Sequence, residues 1–577
     1  MEQATVAVTP TPRAAFADRV RRGLSARNLI VVAVIIVVGY LALVPLGFLL
    51  WQTFTTRDGQ LTLDTFTAAY RTVGLGTMAL NSFAFAIGAG ALAIALGTTL
   101  AYLVVRTDVP FKPLMFAMSL VPLIIPGILY TISWIFIASP QIGILNEHVI
   151  EPVLGARFNV FSLPGMIMVE GLHLSPLVFL LMVAAFRSMD PALEESAIMS
   201  GASLPTVFRR ITLPLARPAL YAAVLIMVVR GLESFEVPAV LGLPNHTWVF
   251  TSRIWNVLNA LPPDYGQAGA YAISLLVLTT IGIVWHSRLT RRGRAFQTVS
   301  GKGFRPRPVA LGRWRGPAAA FIVAYFLVSV VLPLLVLAYA STQPFYSPPT
   351  SQTLSHMSLE NYSTVFHLPL ARDAVKNSLI LGIGAATTVM LITAVASWLV
   401  VRTRLPGRWL VDNLAFVPLV IPGLVLGVAL LSVYLRVSLP IYGTLWILFI
   451  AYLTRYMPYG MRYSSTSMFQ IGRELEESAQ MSGASWWQSF RRVVLPLLMP
   501  GLVAGWIYIL IVSLRELGSS VLLYSPGKEV LSIVIWEQYR NGQLTQLSAL
   551  GIMLVGGLIV LVTVAYKLGA RIGVREA

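Results

Sequence analysis

The sequence predicts an all-α polytopic membrane protein with about twelve transmembrane helices in two parallel six-helix repeats. Three observations predict it: a composition too apolar for a water-soluble core, basic residues gathered on alternate connections, and a chain that repeats itself. Hydrophobic residues make up 56% of the 577 and charged residues 11%, against roughly 25% charged in an ordinary soluble domain. The mean hydropathy is +0.75. Apolar surface on that scale needs lipid, so soluble multidomain, disordered and collagen-like classes are excluded. Cysteine is absent, which removes disulfides, thiolate metal sites and cysteine nucleophiles.

A hydrocarbon layer roughly 30 Å thick takes about 20 apolar residues of helix. The first such stretch, 28–51, follows a basic tail (1–27) and is longer than the apolar core of a signal peptide, so it reads as a retained anchor. The others of the first half are 79–105, 113–138, 161–186, 218–241 and 268–287. A basic, Gly/Pro-containing linker, 288–315, then separates the repeat unit 28–287 from a second unit, 316–570, and a short tail, 571–577, ends the chain. The second unit holds 316–340, 376–401, 411–433, 441–461, 499–524 and 547–566. The stretch 441–461 is the weakest, because Arg455 and the Tyr456-Met457-Pro458 run interrupt it.

The net charge of +18 is explained by topology and not by nucleic acid. With a cytoplasmic N-terminus, 30 of the 42 Lys and Arg fall on inside segments, 9 outside and 3 within spans. That bias satisfies the positive-inside rule. It puts both termini and the linker on the cytoplasmic side of a multi-pass membrane protein.

The repeat is legible residue by residue. Asn81-Ser82 recurs as Asn377-Ser378, Leu103–Thr107 as Leu399–Thr403, and Val121–Gly127 as Val417–Gly423, all displaced by 296. Leu193–Leu220 recurs as Leu475–Leu502 at a displacement of 282, with 18 of 28 positions identical. The drop of 14 between 296 and 282 locates surplus residues in the first half around Gly143–Phe161. Six spans per half is an even number, so the halves face the same way and a pseudo-twofold runs along the membrane normal.

The best-matched stretch lies on the inside, after the fourth span of each half. Asp190-Pro191 reads as a helix start, and Glu194 and Glu195 sit near that N-terminus, where the helix dipole favours negative charge. Gly201 and Gly483 mark where the helix must turn, and Pro214 and Pro496 lead into the next span. The expected product is a pair of short helices outside the bilayer, joined to the following span.

These loops, Leu193-Glu-Glu-Ser-Ala and its Gly201, and Leu475-Glu-Glu-Ser-Ala and its Gly483, resemble the "EAA" motif of permease subunits in bacterial binding-protein-dependent ABC importers. The resemblance covers nearly the whole chain in duplicate. Ser196 and Ser478 stand where the family often has alanine. It implies ATPase-coupling positions at Glu194, Glu195, Ala197 and Gly201, and again at Glu476, Glu477, Ala479 and Gly483. It also implies a separate ATPase subunit, taken as a homodimer, and a periplasmic or lipid-anchored substrate-binding protein. No phosphate-loop sequence occurs, so no cofactor is expected on this chain and ATP would be used by the partner. No catalytic constellation and no metal-spaced histidine pair occurs, so no enzyme activity and no metal site are assigned.

Arg230–Pro238 and Ser513–Pro526 resemble the ferric-iron branch of that family; related permeases carry thiamine, polyamines or aminoethylphosphonate. Arg230, Glu233, Glu236, Arg515 and Glu516 lie in these stretches. Charge in a span is costly, and two readings stand: these residues line the substrate path, or they neutralise one another. On the first reading Glu233 and Glu236, three apart on one helix face, give a ferric ion transient oxygen contacts together with Glu516. Glu170 and Arg455 read as charges near span ends, snorkelling or structural. An ion-coupled secondary transporter shares the span count but gives no reason for matched loops.

Overall fold

The computed structural model describes residues 26–56, 59–72, 74–190, 192–293, 308–403 and 408–571. The expected N-terminal tail up to residue 25, the middle of the linker (294–307) and the C-terminal tail from 572 lie outside the described residues. Helix dominates, and among the described residues the only extended pairings are two isolated bridges, Thr55 with Leu61 and Thr107 with Val309.

In the first half the chain forms α1 (Ala26–Phe54), α2 (Leu75–Arg106), α3 (Lys112–Leu120), α4 (Gly127–Ala138), α5 (Leu163–Ser188), α6 (Ala192–Met199), α7 (Leu213–Glu233) and α8 (Tyr265–Gly293). The second half begins with α9 (Arg315–Phe326) and α10 (Leu332–Ser341), one span joined through a π-helical turn. It continues with α11 (Pro369–Arg402), α12 (Arg408–Phe416), α13 (Gly423–Tyr434), α14 (Leu445–Gln470), α15 (Arg473–Met481), α16 (Leu495–Ser513) and α17 (Leu544–Arg571).

Nine helices among the described residues are long and apolar enough to cross a bilayer, and two bent pairs raise the number to 11. The pairs are α3 with α4, bent by 96°, and α12 with α13, bent by 108°. The twelfth expected span is α14, which has the 26-residue length of α5 but carries Arg455, Arg462 and several hydroxyl side chains that lower its hydropathy.

The 12 residues of α4 or α13 rise only about 18 Å, too short to cross alone. Contacts at the ends decide whether each bent pair crosses or turns back. Arg106, at the end of α2, is ion-paired with Glu194 in α6, and Arg402, at the end of α11, with Glu476 in α15. The stretch between 106 and 194 therefore starts and finishes on one face. It holds one bent pair and α5, so both must cross, and the same parity makes α12–α13 and α14 cross. Each pair is a broken span.

Each half lends its first span to the other. α1 packs on α12 and α13, and α9 and α10 pack on α3 and α4. Tyr40 and Tyr434 share a hydrogen bond across this seam, and the Tyr346 hydroxyl donates to the Phe136 carbonyl at 3.0 Å. Lipid offers helices no hydrophobic gain on association, so close packing has to hold them. It does so at α2 and α5, where a Cβ on Gly97 would lie 2.6 Å from the Ser175 carbonyl oxygen.

The duplicated motifs acquire physical reasons. Ser82 and Ser378 accept from the backbone N–H of Phe250 and Leu531, at 3.0 and 2.8 Å, and so begin matching helices on the face away from α6. Asn81 and Asn377 donate to the carbonyls of Trp248 and Glu529 beside them. The surplus also falls where expected: α4 and α5 are separated by the 24 residues 139–162, whereas α13 and α14 are separated by the 10 residues 435–444.

Candidate functional site

The loop after α5 is built from α6 outward. Asp190 accepts from the Ala192 backbone N–H at 2.9 Å and starts the helix. Glu194 is 2% exposed and points inward, accepting from the Arg106 guanidinium and from Thr212. One carboxylate thus ties the end of α2, the loop helix and the turn that enters α7. Glu195, its neighbour, is exposed. Ala197 ends the helix through its carbonyl, which accepts from the Ala202 N–H at 3.0 Å, while the Gly201 N–H donates to Ile198 at 2.9 Å. This pair of bonds with Gly201 at φ +84° is a Schellman turn, which needs a residue tolerant of the left-handed region.

The second loop repeats this geometry. The Ala484 and Gly483 N–H groups donate to Ala479 and Gln480 at 3.1 and 3.0 Å, with Gly483 at φ +83°. Glu476 points inward to the indole of Trp398 at 3.0 Å and to Arg402 at 3.8 Å, and Glu477 is exposed. Both loops present apolar tips to solvent, Met199 at 88% and Met481 at 89% exposure. Among the described residues one parallel bridge ties the linker beside the first loop: the Val309 backbone N–H donates to the Arg106 carbonyl, and the Asp108 backbone N–H to the Val309 carbonyl.

A second cluster lies where the halves meet, and it corrects the expected helical geometry. α7 ends at Glu233 and Ser234 is extended, with ψ 129°, so Glu236 stands beyond a break and does not share a helix face with Glu233. α16 likewise ends at Ser513, ahead of Arg515 and Glu516. The gap carbonyls are satisfied by hydroxyls from the neighbouring short helices, Thr251 to Ser234 and Ser532 to Glu516, each at 2.6 Å. Unwound backbone at membrane depth survives only with such partners. The breaks in the two bent spans are satisfied reciprocally across the halves. Arg515 donates to the Leu123 carbonyl, and Thr279 donates to that of Val420 at 3.2 Å.

The charges fall into pairs that the sequence assigns differently. Arg230 stands 3.6 Å from Glu233 and donates to the Tyr459 hydroxyl at 2.8 Å across the halves. Glu516 is paired with Arg455 at 2.9 Å and also accepts from Tyr456 and Ser519. Glu170 and Arg455 are not snorkelling span-end charges. Each lies well inside its 26-residue helix, Glu170 is buried, and Arg455 faces the cluster. The bent spans press onto these groups: a Cβ on Gly127 would lie 1.8 Å from a Glu236 oxygen and 3.3 Å from His173, and one on Gly423 would lie 2.6 Å from Arg455. Among the described residues no three His, Asp or Glu side chains are arranged to hold a metal ion.

Displacement by 282 pairs Glu233 with Arg515 and His173 with Arg455, so corresponding positions carry unlike groups. A cavity of about 250 Å³ lies between the halves, lined by Arg230, Glu233, Arg455 and Tyr459 over apolar walls from α7, α8 and the break before α13. Sequence reasoning passed over Tyr459 and His173, and set Glu170 and Arg455 aside as span-end charges, snorkelling or structural. One signal was available: Tyr452, Tyr456, Tyr459 and Tyr463 recur at helical spacing, and their rings form a chain with Tyr508.

The family described as binding-protein-dependent transport system inner membrane component matches residues 91–295 and again 391–573. The Fe(3+)-transport system permease protein FbpB 2 of Haemophilus influenzae is 25% identical over 80% of this chain and 84% of its own. The ferric transport system permease protein FbpB of Actinobacillus pleuropneumoniae is 24% identical, over 69% of this chain and 57% of its own. A putative 2-aminoethylphosphonate transport system permease protein, PhnV of Salmonella paratyphi A, is 30% identical over 45% of this chain and 97% of its own.

Proposed function

Since the chain belongs to the family of binding-protein-dependent transport system inner membrane components, we propose that it is the fused double permease of an ATP-driven importer whose cargo is ferric iron. The observation that carries the coupling part of this reading is the matched pair of loops at 192–203 and 473–485. Both lie on one face, both end in a Schellman turn, and both hold one glutamate inward while leaving the next glutamate and an apolar tip free. Glu194 and Glu476 set the loop on the preceding span; Glu195, Glu477 and the turns at Ala197–Gly201 and Ala479–Gly483 meet a separate ATPase homodimer. The chain itself holds no nucleotide. A periplasmic or lipid-anchored binding protein delivers cargo to the opposite face. Closure of the ATPase pulls on α7 and α16, which end at the charged breaks.

Ferric cargo is supported by the relatives named for it across most of this chain. A 2-aminoethylphosphonate cargo is the second reading, favoured by the higher identity over one half. The bias of basic residues supports cytoplasmic termini, with the loops and linker inside. The test is uptake of radioactive ferric iron or of the phosphonate by membranes that hold the chain, its co-purified ATPase and the cognate binding protein. Failure of any ATPase to co-purify, or uptake of neither cargo, overturns the reading. A tag within 341–375 reached by protease in spheroplasts, with the linker protected, is the expected topology.

A further inference from the structure

The polar lining of the cavity between the halves is two arginines and a tyrosine against one carboxylate, Glu233. The two terminal nitrogens of Arg455 donate to no acceptor among the described residues, since its ion pair with Glu516 uses Nε. Arg230 commits one N–H to Tyr459, whose own hydroxyl proton has no acceptor among the described residues. The acids are the engaged partners. Glu516 already accepts from Tyr456 and from Ser519 and is paired with Arg455, and Glu233, which also lines the cavity, faces Arg230 at 3.6 Å. Guanidinium groups with free N–H bonds over apolar walls suit planar or tetrahedral oxygens that bear negative charge. A bare cation would face two guanidinium groups against one carboxylate.

We propose that this cavity is a transit site for a small oxyanion, held by Arg455, Arg230 and Tyr459. The assignment rests on the importer reading and deepens it. A ferric cargo would pass as a complex whose carboxylate or other oxyanion ligands face the permease, and a phosphonate would present its own oxygens. At about 250 Å³ the space equals roughly eight water volumes, enough for a compact chelate or phosphonate and too small for a bulky one.

The full chain in lipid nanodiscs is titrated by calorimetry with citrate, ferric citrate, 2-aminoethylphosphonate and hexaamminecobalt(III), a trivalent cation with no oxygen ligand. Binding of at least one oxyanion probe and none of the cobalt complex is expected, and the preferred probe tells the two sources apart. The charge-balanced double variant Arg455→Gln with Glu516→Gln should weaken that binding by about tenfold or more, and Tyr459→Phe, which keeps the ring, by about threefold. Binding of the cobalt complex, no binding of any oxyanion, or unchanged affinity in folded samples of both variants overturns the proposal. Co-purification of an ATPase is scored separately, so failure of the importer reading leaves its own mark.

Discussion

Glu194 and Glu195 are adjacent in sequence and opposite in role. The pair of Arg106 and Glu194 has side chains 3% exposed on both sides, and removing one member of such a pair leaves the other buried and uncompensated. Glu194→Ala should therefore lower the stability of the detergent-solubilised chain by about 3 kcal/mol, read as a fall in its melting temperature, whereas Glu195→Ala should leave the melt unchanged and weaken ATPase association. Equal melts for the two variants would contradict the assignment. At Gly201 and Gly483 a Cβ meets nothing within 4 Å, so the constraint is the backbone angle and not space. A β-branched residue there costs about 1–2 kcal/mol, while asparagine tolerates the left-handed region. Gly201→Val and Gly483→Val should insert normally and uncouple ATP hydrolysis from transport, with Asn at either position close to native; loss of coupling with Asn as well would mean that something other than φ is at stake.

At the scale of elements, the broken spans matter most. Gly127 and Gly423 let two bends press against Glu236 and Arg455, so Gly127→Ala or Gly423→Ala must displace a half-buried charge. Each is expected to reduce uptake at least about tenfold while the chain still reaches the membrane, a shift of about 1.4 kcal/mol in the transport barrier; normal uptake in both would show that the bends carry no functional charge. These bends were only half legible beforehand. Pro126-Gly127 and Pro422-Gly423 stand out in the repeat, but hydropathy summed along a window cannot register a 96° turn. The matched loops were readable because their constraints are local: a cap, a dipole and a positive φ. Arg455 was misread because its partner, Glu516, is 61 positions away, and such pairings leave no periodicity. Glu236 was misread for the converse reason, since spacing of three implies a shared face only while the helix continues.

For the whole molecule, the exchange of first spans makes each half complete only with the other. α1 packs mainly on the second half, and α9–α10 reach onto α3 and α4 of the first while α10 also packs on α17 of its own, an arrangement no repeat displacement discloses, although the all-α class, the duplication and the family were plain from residues alone. Two co-expressed polypeptides cut within 294–307 should therefore co-purify through a tag on either one, and neither should accumulate alone; a stable solitary half would refute the mutual dependence. The opposed groups at positions 233 and 515 carry a last consequence. Two copies of one polypeptide around a twofold axis must present the same side chain twice, acid to acid or base to base, and two separate genes would have to hold their dosage equal to give one of each. A covalent join removes both conditions, since every molecule inherits a single glutamate and a single arginine in fixed ratio. Conversion of one coding repeat by the other would erase that inheritance in a single event, and the duplication is preserved only as far as its two copies are kept from becoming alike.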